Sequence, residues 1–243
     1  MKFGHSLSLI LVFIVLTACS SESMTTKKIK PSDSLLTSDE VNIAYKYYSP
    51  EKINSPAVIL LHMLNKDKSD WVDFARILQK EGFAVIAIDF RGHGDSDGNW
   101  QKFSEKDFNN MILDVDAAKE FLRRQSKVNI NSVSIVGASI GANIAIKYSL
   151  QNKEDIKTII LLSPGLNYRG VNIEKDISSL KNPTFIAASE EDTYSAESSK
   201  KIHELLKTTS EFNLLSNAGH GNNLFVVPEL SGKIISWLKK NSQ

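Results

Sequence analysis

The sequence predicts an α/β domain built on a mostly parallel sheet with helices on both faces. Three observations predict it. Continuous apolar, β-branched runs at 57–61, 83–88 and 133–138 are what strands covered on both faces require. Amphipathic stretches separate these runs, so strand and helix alternate along almost the whole chain. Finally, Gly137-Ala138-Ser139-Ile140-Gly141 joins a strand-like run to a helix-like one, a junction that belongs at the carboxyl edge of such a sheet.

The elements follow in order. Val41, Ile43, Tyr45 and Tyr47 alternate with more polar neighbours and predict a half-buried strand over 41–47. Pro50 and Pro56 bracket a turn before the buried strand 57–61. A helix over 71–79 places Trp71, Phe74, Ala75 and Leu78 on one face and ends at Gly82. Strand 83–88, a long amphipathic helix over 107–124 and strand 133–138 come next. Ala142, Ile144, Ala145, Ile146 and Leu150 recur at helical spacing and predict a helix over 140–150. Strands 156–162 and 184–188, helix 197–206, strand 211–215 and helix 228–239 complete the series. With 243 residues, 42% of them hydrophobic, one core-forming domain over 41–243 accounts for this pattern.

Ser139 stands at a strand-to-helix corner sharp enough to strain its backbone. Bulky residues two positions to either side would collide with the adjoining strand and helix, and the glycines relieve that collision. A serine hydroxyl is a weak nucleophile at neutral pH and needs a base within hydrogen-bond reach, which itself needs an orienting carboxylate. Of the five histidines, His5 lies in the apolar leader and His203 on a predicted surface helix. His62 and His93 precede or lie in loops after early strands. His220, in Ala218-Gly219-His220-Gly221 after the last predicted strand, is free to project from its loop. For the carboxylate, the strand ending at Ala188 runs into Ser189-Glu190-Glu191-Asp192; Asp192 is the first choice and Glu191 its substitute.

These residues resemble the α/β-hydrolase family, with Ser139, Asp192 and His220 matching the order of its nucleophile, acid and base. The resemblance spans Val41 to the C-terminus. Asp89-Phe90-Arg91-Gly92-His93-Gly94-Asp95-Ser96 also matches the Asp-x-Arg-Gly-x-Gly-x-Ser loop common in its esterase, lipase and peptidase branches. The resemblance implies acyl-enzyme chemistry on an ester substrate, or on an amide or thioester. It further implies an oxyanion hole from the backbone N–H groups of Leu64 and Ile140, with Met63 as the alternative to Leu64. The chain departs from the family where Met63 and Asn65 replace glycines of the His-Gly-x-Gly loop, and where Ser189 replaces the glycine of the acid loop. Only nineteen residues separate Ser163 from Pro183, too few for a sizeable cap domain. An open groove rimmed by Leu64, Leu166, Tyr168, Tyr194 and Leu224 is expected instead.

The first forty residues differ in character from the rest. Lys2 followed by the short apolar stretch 7–16 reads as an export signal over 1–18 rather than a membrane span. Leu16-Thr17-Ala18-Cys19 resembles the lipobox of bacterial lipoproteins, whose cysteine is acylated; an ordinary secretory signal is the alternative. On the first reading the protein is a membrane-anchored lipoprotein of the bacterial cell envelope, facing the periplasm or the exterior. A tether over 19–40, rich in Ser, Thr, Lys and Asp, would hold the domain roughly 25 Å from the bilayer. Cys19 is the only cysteine, so no internal disulfide forms. Removing Lys2 from 29 basic residues leaves 28 against 28 acidic ones, no footprint for nucleic acid. No metal-ligand cluster or phosphate loop appears in the sequence, so no cofactor is implied.

Overall fold

The computed structural model describes Met1 and residues 34–242. The export signal, Cys19 and the tether as far as residue 33 lie outside the described residues. An eight-stranded sheet runs in the order β1-β2-β4-β3-β5-β6-β9-β10. Its strands are β1 (Ser34–Leu36), β2 (Asn42–Tyr48), β3 (Ser55–Leu61), β4 (Ala84–Ile88), β5 (Val128–Ala138), β6 (Ile159–Leu162), β9 (Thr184–Ser189) and β10 (Ser210–Leu215). β1 and β2 are antiparallel to their neighbours, and all pairs from β4 to β10 are parallel. β7 (Asn167–Tyr168) and β8 (Val171–Asn172) form a separate hairpin.

Strand periodicity divides the core between the two faces. Val58, Leu60, Val85, Ala87, Val136, Ile160, Leu162 and Phe185 point toward α1 (Val72–Lys80) and α6 (Pro228–Asn241), where they meet Phe74, Leu78, Ile234 and Trp237. Ile59, Leu61, Ile86, Ile88, Ile135, Ile159 and Ile186 point the other way, toward α3 (Ile112–Arg123), α4 (Ile140–Gln151) and α5 (Thr193–Leu205). Each of these strand residues that is Val, Leu, Ile or Phe is fully buried and contributes about 1.5–3 kcal/mol of transfer free energy. The α/β class with helices on both faces is therefore as the sequence predicts.

Two expectations are corrected. The tether expected over 19–40 ends earlier, because Ser34–Leu36 pair with Ala44, Ile43 and Asn42 at the sheet edge and Leu35 is buried. Asp39 is also held in the domain, its two carboxylate oxygens accepting from the Arg91 guanidinium at 2.7 and 2.9 Å. The single helix expected over 107–124 is instead two, α2 (Glu105–Asn109) and α3. A capping box between Ser104 and Asp107 starts α2 early. Two asparagines, weak helix formers, then break it. The Asn109 side chain turns away to the carbonyls of Glu105 and Gly170, and the amides of Leu113 and Asp114 reach back only three residues.

Strand order places the site. The chain leaves β3 for β4 on one side, then returns across β3 to β5 on the other. The carboxyl ends of β3 and β5 therefore flank a switch point, where connections leave in opposite directions and open a crevice. The loop after β3 and the corner after β5 meet there, and the loops after β9 and β10 open on the same edge.

Candidate active site

Ser139 links β5 to α4 with φ 54° and ψ −120°, a sparsely populated conformation that costs on the order of 1–3 kcal/mol and persists only when its surroundings enforce it. They do so here by contact and by hydrogen bonding. A Cβ on Gly137 would lie 2.3 Å from the Gly141 carbonyl oxygen, and one on Gly141 would lie 2.5 Å from that of Leu61. The Ser139 amide donates to the Leu162 carbonyl of the neighbouring strand at 2.8 Å. The strained corner expected from the sequence is thus present, and it presents Ser139 at the head of a cavity.

The two carboxylates of the acid loop face different partners. Asp192 occupies the N-cap of α5, where an aspartate ordinarily accepts from an amide of the first turn, yet its side chain makes no capping bond. Its Oδ2 instead lies 2.6 Å from His220 Nδ1. Glu191 faces the histidine loop backbone, accepting from the amides of Gly219 at 2.8 Å and Asn217 at 3.1 Å. The Ser189 hydroxyl donates to Glu191 at 2.5 Å and accepts from the Ala218 amide at 2.9 Å. The serine that replaces a glycine in the acid loop thus stitches the two loops together. Bonding from Ser189 and these amides holds the Glu191 carboxyl at about 2.

The oxyanion-loop substitutions are accommodated just as locally. Asn65 takes φ 59°, a left-handed conformation that asparagine tolerates better than other non-glycine residues. Met63 is nearly buried and lies against Gly221, where a Cβ would meet the Met63 sulfur at 2.8 Å and displace that side chain. His62 braces this loop: Nδ1–H donates to the Met63 carbonyl at 2.7 Å and Nε2 accepts from the Phe90 amide at 2.9 Å. Burial drives its pKa down to about 3, so it stays neutral in that tautomer. Ile140 opens α4, and the amide of a first helical residue has no intrahelical acceptor.

Ser139, Ile140, Met63, Leu64 and His220 line one cavity of about 300 Å³ together with Asn167, Tyr168 and Arg169. The sequence-predicted groups therefore converge, Asp192 reaching the cavity through His220. Of the expected rim, Leu64 and Tyr168 line it, but Leu224 is fully buried among Trp71, Val136 and Leu162, because the turn after His220 folds inward against α6. His93 stacks on Trp100 at 5.5 Å and bonds the Arg91 carbonyl, away from the cavity. Sequence reasoning treats Tyr168 only as a hydrophobe, yet its hydroxyl bonds the Ser195 hydroxyl at 2.8 Å, donates to the Ser163 carbonyl at 3.3 Å and interacts with Ser139. Burial pushes that phenol up to about 12, so it remains a donor at neutral pH. No periodicity could reveal this, since a two-residue strand is too short for a pattern.

The α/β fold agrees with comparison to known proteins. Residues 53–177 match the Hydrolase_4 family model, described as serine aminopeptidase, and the chain belongs to the α/β-hydrolase family. An uncharacterized protein of Mycobacterium tuberculosis is 30% identical over 128 residues, 52% of this chain and 34% of that protein. A bifunctional esterase/perhydrolase of Acinetobacter calcoaceticus is 34% identical over 39% of this chain and 32% of its own length. The chain thus matches only about a third of the length of these relatives. Among solved structures, an esterase of Pyrococcus furiosus superposes with TM-score 0.72 at 22% identity, over 86% of this chain and 91% of its own. Est1E of Butyrivibrio proteoclasticus, with ferulic acid bound, gives 0.74 at 15% identity over 85% and 98%. These two likenesses concern the fold.

Proposed function

We propose that the protein is a serine hydrolase acting by acyl-enzyme chemistry on carboxylic esters. The observation that carries this reading is the strained Ser139 facing the same cavity as a histidine whose Nδ1 is engaged by Asp192. That engagement leaves Nε2 of the neutral imidazole as the acceptor. His220 Nε2 takes the Ser139 proton as Oγ bonds to the substrate carbonyl carbon, and Asp192 stabilises the resulting imidazolium. The oxyanion falls to the amides of Ile140 and of Leu64 or Met63. His220 then returns the proton to the departing alcohol as the ester C–O bond breaks, leaving an acyl-Ser139. Water repeats the sequence and releases the acid. An amide or thioester can enter the same cycle, and the serine aminopeptidase description of the matched family supports keeping the amide in view.

A fluorophosphonate probe tests the chemistry. Ser139 should be labelled in the wild-type protein and Ser139→Ala should be silent in labelling and in hydrolysis; ester hydrolysis by pure Ser139→Ala would overturn the assignment. A non-catalytic protein on the same fold would leave Ser139 unlabelled. p-Nitrophenyl esters of graded chain length beside aminoacyl amides would rank the ester and peptidase readings. The same proposal places the enzyme in the bacterial cell envelope, tethered through an acylated Cys19. Mass spectrometry of the mature N-terminus tests this, a diacylglyceryl-modified Cys19 being the expected result and an unmodified terminus the contrary one.

A further inference from the structure

Arg169 sits in the catalytic cavity at a position that disfavours arginine. It is the first residue of the two-residue turn between β7 and β8, with φ 54°, followed by Gly170 at φ 82°. Positive φ at both positions defines the type I′ hairpin turn, where asparagine or glycine is the preferred first residue. A side chain that breaks a local rule without a packing reward marks a functional position. Arg169 gains none here, being exposed and without a hydrogen bond or ion pair among the described residues.

The hairpin that presents it is firmly held. The Asn143 side-chain amide donates to the Val171 carbonyl at 2.9 Å, that of Asn109 donates to the Gly170 carbonyl at 3.1 Å, and the Tyr194 hydroxyl sits 3.0 Å from both the amide and the carbonyl of Asn167. Asp192 is engaged by His220 and Glu191 by the Gly219 and Asn217 amides, while Glu105 packs against the neighbouring Gly170 with no ion pair to Arg169 among the described residues. Arg169 lines the cavity without an ion-pair partner among the described residues, and the fork of N–H donors on its guanidinium suits a carboxylate.

Building on the serine-hydrolase reading above, we propose that Arg169 selects esters bearing a second, ionised carboxylate close to the scissile carbonyl. The carboxylate could belong to the acyl part, as in a dicarboxylic half-ester, or to the leaving group. Both share the chemistry that Arg169 recognises, and separate substrates distinguish them.

The test compares p-nitrophenyl hemisuccinate with p-nitrophenyl butyrate, which differ by a carboxylate in place of a methyl group, and adds 3-carboxy-4-nitrophenyl butyrate to charge the leaving group. Arg169→Asn suits the turn's backbone and removes the charge; Arg169→Lys retains it. The readout is the ratio of kcat/KM for charged over neutral ester. For a charge-assisted hydrogen bond it should fall about tenfold in Arg169→Asn, mostly through KM, and less in Arg169→Lys. The wild-type ratio should also fall as salt screens the contact, while that of Arg169→Asn stays flat. A drop confined to the hemisuccinate arm places the carboxylate on the acyl group, and one confined to the other arm places it on the leaving group. A ratio unchanged by Arg169→Asn in both arms, with Ser139 still labelled by fluorophosphonate, overturns this inference alone. A wild-type protein that hydrolyses none of the esters and resists labelling overturns the hydrolase reading, and this inference with it.

Discussion

Glu191 grips the backbone of Gly219 at 2.8 Å, one residue ahead of the imidazole that its neighbour Asp192 engages at 2.6 Å. Adjacent carboxylates thus divide two tasks, one fixing the path of the histidine loop and the other facing the ring. Substitution should separate them. Asp192→Asn keeps the shape but offers the wrong hydrogen-bonding partner to Nδ1, and kcat should fall by about 10⁴-fold, as when the equivalent aspartate is changed in a serine protease. Glu191→Gln keeps one acceptor oxygen but sets an NH2 donor where the other oxygen accepts, so it loses at least one bond to the histidine loop without touching the ring, and kcat should fall by about tenfold, far less than in Asp192→Asn. Steady-state rates on p-nitrophenyl butyrate decide it; a larger loss from Glu191→Gln would transfer the orienting role to Glu191.

The same carboxylate should leave a signature in acid. Glu191 is held at about 2 in the folded protein, chiefly by the Ser189 hydroxyl and the Gly219 amide, against an ordinary value of 4.5. A carboxyl whose folded value is depressed stabilises the fold above its unfolded value and loses that contribution as pH falls toward the folded one. Glu191→Gln should therefore have a lower Tm than wild type at pH 7, and the gap should close between about pH 4.5 and 2. Thermal melts of both proteins across that range provide the comparison, and a gap independent of pH would refute the ionic origin.

The parallel core is legible in the sequence because residues such as Ile59, Val85 and Ile135 sit in uninterrupted apolar runs that only a doubly covered strand explains. Ser139 and His220 are legible for a related reason: glycines mark where the backbone must turn sharply or pass close to another segment. The remainder is hidden by length or distance. β1 and the β7–β8 hairpin are too short to show alternation. The polar bonds that set Asp192 and Glu191 apart join residues more than two dozen positions distant in sequence. The inward turn of Leu224 depends on contacts with Trp71 and Val136, which no local pattern records.

Asn65 supplies a third prediction, on the oxyanion loop. Because its φ of 59° is left-handed, Asn65→Ala should destabilise the protein by about 1 kcal/mol, whereas Asn65→Gly should hold Tm or raise it slightly. The loop also carries Met63 and Leu64 to the cavity wall. A displaced donor costs transition-state stabilisation, so Asn65→Ala should lower kcat on p-nitrophenyl butyrate while Asn65→Gly preserves most of it. Equal kinetics for the two variants would mean that the turn at Asn65 does not position the donors.

The N-terminal strap provides the last test. Arg91 donates through its amide and Nε to Asp114, each at 2.8 Å, and through its terminal nitrogens to both oxygens of Asp39. Arg91 bonding holds the Asp39 carboxyl at about 2. Asp39→Ala leaves the fully buried Asp114 contact intact and removes the outer pair, whose carboxylate is 35% exposed. Solvent screening limits the loss to about 1 kcal/mol. Because the folded value lies below the ordinary value of 3.8, the loss should be complete above about pH 4 and fade as pH falls toward 2. Deleting residues 1–40 should cost more, since it also removes Leu35 from the core and β1 from the sheet edge; deletion of residues 1–33, which keeps both, is the reference. Urea melts of the three variants measure this, and a 1–40 deletion as stable as the 1–33 deletion would show that the strap does not support the fold.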